Sequence, residues 1–123
     1  MKKIILLSIL GIAVSSFALM GFSPEKKDKV ARITIPDNIA KIAEKSCFPC
    51  HTEPGNKMAL MHLNLGKWND LDGKKQIKKA GKMCSMVSKG AMPPKGFRTD
   101  NPDKIPTQAE VKEICDWAAS VKK

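Results

Sequence analysis

The run Cys47-Phe48-Pro49-Cys50-His51 limits what this chain can fold into more than any other stretch. Two thiols three residues apart on one helical turn share a face, with Cβ atoms roughly 5–6 Å apart. His51, four residues after Cys47, falls on that same face. Two sulfurs so placed can reach two vinyl groups along one porphyrin edge, while the imidazole reaches the iron. C-x-x-C-H is the attachment pattern for c-type haem. Simpler readings stand beside it. In an exported protein the two cysteines can form disulfides, and in a cytosolic one they can be a redox pair or bind zinc.

The chain has 123 residues, enough for one domain plus processing segments. It has no tyrosine, four phenylalanines and two tryptophans, a small aromatic stock for a core. A buried macrocycle would add the apolar surface that so short a chain lacks. Lysine and arginine number 22 against 12 acids, for a net charge of +10. That balance favours acidic partners or an anionic membrane surface. No nucleic-acid module is recognisable, so nucleic acid is set aside as a partner.

The N-terminus reads as an export signal. Met1-Lys2-Lys3 is a positive start, Ile4 to Val14 is almost unbroken apolar sequence, and Ser16 and Ala18 suit a cleavage site. Residues 1–18 are therefore expected to be a signal peptide. The alternative is an uncleaved anchor, since Ile4–Phe22 is just long enough to span a bilayer. Either way the domain lies outside the cytoplasm, which in a Gram-negative cell is the periplasm. Residues 19–35 mix charges without periodicity and read as a flexible lead-in, with Ile33 and Ile35 forming at most a short extended piece. The folded domain is expected over 36–123.

Helical periodicity accounts for most of that domain, so an all-α fold is expected. Pro36-Asp37 opens a first helix, in which Ile39, Ile42, Ala43 and Cys47 make an apolar stripe. Pro49 should end it. Met58 and Met61 suit an irregular wall beside a haem edge. His62 is either a second iron ligand or an ordinary polar residue. The indole of Trp68 needs an acceptor if buried; it is either a packed tryptophan or a donor to a haem propionate. Gly73 to Lys89 reads as a basic helix with Ile77, Ala80, Cys84 and Val87 inward and its lysines outward, stopped by Gly90.

Gly90-Ala91-Met92-Pro93-Pro94 is the second strong signal. Pro93 pushes Met92 out of helical geometry, so a stiff extended loop can present its thioether to iron. Lys95, Arg98 and Lys104 are candidates to neutralise propionates. Thr107-Gln108-Ala109-Glu110 is a capping box that starts a last helix, with Ile114, Cys115 and Ala118 on its apolar stripe. Cys84 and Cys115, left over from the haem motif and both on inward faces, are expected to pair as a disulfide.

Together, Cys47–His51, Trp68, Gly90–Pro94 and the capped last helix resemble a small monohaem c-type cytochrome. Leu63–Trp68, the lysine-rich helix and the Met-Pro-Pro loop are similar to the periplasmic haem-binding domain of bacterial cytochrome-like proteins. The resemblance covers Pro36 to Lys123. It implies a cytochrome c-like helical domain wrapped around one covalent haem c with its iron. It also implies thioethers from Cys47 and Cys50, His51 as proximal ligand and Met92 as distal ligand. The expected activity is periplasmic electron transfer to and from redox partner proteins, acidic ones in view of the charge, with membrane association only through an uncleaved N-terminus. No acid–base pair or nucleophile suggests substrate turnover, so no enzymatic activity is expected. The competing function is a haem-based gas or redox sensor whose distal ligand is absent or easily displaced.

Overall fold

The computed structural model describes residues 30–123, and every described element in it is helical. The expected export signal and its alternative, a membrane span, lie outside the described residues. Helix α1 runs Asp37–Ser46, with Pro36 as N-cap and Asp37 in the first turn, where a negative charge complements the helix dipole. Its buried residues, Ile39, Ile42, Ala43 and Ser46, recur at helical spacing and face the core. The short α2, Phe48–His51, follows after a break at Cys47.

Contrary to the expectation that it ends the first helix, Pro49 sits in the first turn of α2. The amide a proline lacks is one that a helix start leaves unpartnered in any case. The kink at Cys47 thus begins a new helix.

Helix α3 spans Lys57–His62, and a 3₁₀ segment follows over Leu65–Asp70. Helix α4, Gly73–Ser88, is capped by the Asp72 side chain, which accepts from the Lys75 amide at 2.8 Å. The short α5, Lys95–Asp100, leads through a second 3₁₀ turn to α6, Gln108–Ser120. The expected capping box is formed, with Thr107 and Glu110 each accepting the other's backbone amide.

Helices α4 and α6 pack along each other and are joined by the Cys84–Cys115 disulfide, as expected from the two spare cysteines. Helix α1 closes against α6, where Lys45 Nζ donates to both Glu110 carboxylate oxygens at 2.6 and 2.7 Å. Both tryptophans meet in the core: the rings of Trp68 and Trp117 lie 5.9 Å apart in a tilted arrangement, a geometry favoured by the aromatic quadrupole.

The buried centre of α4 is Gln76, Ala80 and Met83, with Ile77, Cys84 and Val87 half-buried beside it. Gln76 is fully buried. Its Nε2 donates to the Trp68 carbonyl at 3.0 Å, and its Oε1 accepts from the Ile33 amide at 2.6 Å. The last part of the expected lead-in therefore belongs to the packed domain. Ile33 and Ile35 lie against the core, bound through a glutamine that the periodicity did not mark as inward.

Candidate functional site

Helix α2 fixes the spatial relation of the first three candidate residues. The amides of Cys50 and His51 both donate to the Cys47 carbonyl, at 3.2 and 2.9 Å, so all three side chains spring from one turn. The chain then reverses. Gly55 closes this turn with its amide on Thr52 O at 2.7 Å, and a Cβ at position 55 would meet Thr52 O and Cys50 O at 2.5 and 2.6 Å. Only glycine can follow α2 so closely.

The reversal brings α3 and Leu63 back beside His51. His51 Nδ1 lies 2.8 Å from the Leu63 carbonyl oxygen. A carbonyl can only accept, so Nδ1 carries the hydrogen and, in the neutral ring, Nε2 keeps its lone pair. This is the arrangement by which a ligating histidine has its tautomer and ring orientation held.

Cys47, Cys50 and His51 line a largely apolar cavity of about 470 Å³. Met83 and Met86 of α4 line the same cavity, as does Met92 on the loop after it. Ligand cavities span roughly 300–1,000 Å³, so the volume suits a cofactor-sized group. Burial, reinforced by the neighbouring Cys50, pushes the Cys47 thiol up to about 11, so it is protonated at neutral pH.

The Met92 loop is built by the end of α4. Gly90 takes φ +66°, its amide donates to Val87 O, and the Ala91 amide donates to Met86 O at 3.0 Å. These bonds make a Schellman stop, the ending that a glycine after the last turn permits. The Met92 amide donates to the same Met86 carbonyl at 3.2 Å, and Pro93 is buried.

Four of the five candidate site residues thus share one cavity: Cys47, Cys50, His51 and Met92. Trp68 stands apart: of its two expected roles, the structure has the packed tryptophan in place of the propionate contact. It is 3% exposed in the core, is absent from the cavity wall, and spends its one donor on Ile33 O at 2.7 Å. His62 and Met58 do line the cavity, whereas Met61 is 80% exposed and does not. Lys95, Arg98 and Lys104 are not on its wall; Lys79 and Lys82 of α4 are. Lys79 Nζ also donates to His62 O, tying α4 to the end of α3.

Lys79 and Lys82 read from the sequence as outward-facing, and Met83 and Met86 carry no assigned role there. Their signal is nonetheless there, because 79, 82, 83, 86 and 87 recur at helical spacing on one face. Among the described residues no three His, Cys, Asp or Glu side chains gather as a metal-ion cluster.

A family model for a haem-binding domain matches residues 56–120, more than half of the chain. The match runs from the residue after Gly55 through α3, α4, the Met92 loop and α6. No curated protein and no solved structure matches the chain.

Proposed function

The chain belongs to the haem-binding domain family, and from that premise we propose that it is a periplasmic electron-transfer protein carrying one covalent c-type haem. The observation that carries this reading is that Cys47, Cys50, His51 and Met92, from two separate parts of the chain, line one apolar cavity. The donor set suits the group: two thiols for thioethers, an imidazole with a free Nε2, and a thioether sulfur.

In this reading Cys47 and Cys50 hold the macrocycle, while His51 and Met92 are its axial ligands. The Leu63 carbonyl keeps the His51 ring in one tautomer and one orientation. Met83, Met86 and Ile114 keep water from the cavity wall. Lys79 and Lys82, the cationic residues on the wall, replace Trp68 as partners for the propionates. Haem so ligated supplies a one-electron iron couple at a raised potential, as histidine–methionine pairs do. The exposed lysines of α4 suit acidic redox partners.

One observation favours a second reading, the gas or redox sensor. His62, Met58 and Met86 share the cavity with Met92, so other donors can stand in for it. The visible spectrum of the dithionite-reduced protein from a cytochrome-maturing host, before and after carbon monoxide, separates the two. A six-coordinate spectrum unmoved by the gas, and made sensitive to it by Met92→Ala, supports electron transfer. A rapid shift in the unaltered protein supports the sensor. A protein without haem bands overturns both.

A further inference from the structure

The Cys84–Cys115 disulfide lies directly behind the methionine wall. Cys84 sits between Met83 and Met86 on α4, and Cys115 follows Ile114 on α6; Met83, Met86 and Ile114 all line the cavity. Beyond Cys84 only one turn of α4 remains before Gly90. The Met86 carbonyl, in that last turn, accepts from both Ala91 and Met92. The start of the Met92 loop is therefore bonded to two carbonyls two and three residues past Cys84, Met86 O taking the Ala91 and Met92 amides and Val87 O the Gly90 amide.

The two ends of α4 are held differently. Its first half is fixed by Gln76, buried and bonded at both ends of its amide. Its last turn has no such polar clamp, and Cys84 and Cys115 are only half-buried there. Ser88 Oγ, exposed, lies 3.2 Å from Cys115 Sγ and donates to the Cys84 carbonyl at 2.7 Å. The covalent link to α6 and the packing of Val87 against the core together hold this turn, and both cysteines are half-buried rather than sealed off from a small thiol.

We propose that Cys84 and Cys115 are a positioning pair for Met92: their bond holds the Met86 carbonyl in place, and breaking it frees the Met92 loop from the cavity. A dithiol reductant breaks the bond by exchange. Each cysteine becomes a thiol with one proton, and the reductant leaves as its own disulfide. The state of a disulfide thus governs how firmly a distal ligand is presented. The part of this inference that concerns iron rests on the haem reading above; the part that concerns the loop does not.

The test is amide hydrogen exchange on the full-length chain, comparing the disulfide form with a Cys84→Ser/Cys115→Ser double variant and with dithiol-reduced wild type. The Ala91 and Met92 amides should exchange about tenfold faster once the bond is gone, while the Cys47 and Leu63 amides change far less, since local openings are separable from global unfolding. Equal acceleration at all four positions would make the bridge a general staple and overturn the proposal. So would unchanged exchange at Ala91 and Met92. The reduced wild type keeps the comparison open if the serine variant does not fold. In haem-loaded protein, the same change should speed carbon monoxide binding by a similar factor. If haem is absent, the electron-transfer reading fails while the exchange result still decides the role of the bridge.

Discussion

Trp68 donates its indole N–H to the carbonyl oxygen of Ile33, 35 residues earlier, at 2.7 Å. The amide of that same Ile33 donates to Gln76, whose own amide group donates back to the Trp68 carbonyl. Three residues from three separate segments close a ring of hydrogen bonds inside the core. Gln76→Ala leaves the Ile33 N–H unpartnered and the Trp68 carbonyl with only the Leu71 amide as donor, and should cost about 2–3 kcal/mol. For a domain of this size that lowers Tm by something on the order of 10–20 °C in a circular-dichroism melt. Trp68→Phe removes the donor to Ile33 O together with part of the buried ring, so it should destabilise as well. A Gln76→Ala melt matching that of wild type would show that the segment around Ile33 contributes little.

Glu110 should steepen the loss of stability in acid. Its side-chain bond with Lys45, and after that its bond with the Thr107 amide, hold the carboxyl below the usual range. A carboxyl lowered on folding contributes stability at pH values above its unfolded pKa, and that contribution is lost as pH falls through the folded value. Urea midpoints measured at neutral pH and below about pH 4.5 should therefore differ more for wild type than for Glu110→Gln. Parallel pH profiles would mean that the Lys45 pair does not couple α1 to α6 in solution.

Cys47 should be slow to alkylate in the haem-free chain. Burial first, and Cys50 second, raise its thiol to about 11, and the thiolate is the reactive form. With Cys50→Ala isolating the site, its rate of reaction with iodoacetamide should still climb beyond pH 9.5. A rate that levels off near the free-thiol value of about 8.5 would contradict the burial seen here.

Gly90→Ala should weaken the Met92 loop without any clash, because the added Cβ would come no nearer than 3.7 Å to Arg98. The cost is conformational. A side chain at φ +66° loses about 1 kcal/mol relative to glycine. Gly90→Asn should cost less, since asparagine tolerates this region. Thermal melts of the two variants give the order directly, and an alanine variant at least as stable as the asparagine one would refute it.

Much of this molecule was legible in local sequence, and the residues show why. The capping box at Thr107, the stop at Gly90 and the C-x-x-C-H turn all act within five residues, where spacing determines geometry. The pairing of Cys84 with Cys115 followed from two helical stripes and the removal of the other two cysteines from the count. What escaped depends on distant chain. Gln76 falls outside the apolar stripe of a lysine-rich helix, and only the distant Ile33 accounts for its burial. Trp68 leaves two roles open for the same reason, since its acceptor lies 35 residues away. Pro49 was read as a terminator because the break at Cys47, which turns it into a helix start, leaves no sign in a periodic pattern. Lys79 and Lys82 read as solvent-facing because no stripe analysis knows where a cavity opens.

The hydrogen bond from His51 to Leu63 has a genetic corollary. Its acceptor belongs to the main chain, so alanine scanning through position 63 would keep the carbonyl and pass over its role. Exchange of the Asn64 amide for an ester, which weakens the Leu63 carbonyl as an acceptor, would register it. The histidine's choice of tautomer is thus inherited from the path of the backbone, and the gene can drift among apolar codons at position 63 while the second ring nitrogen stays free.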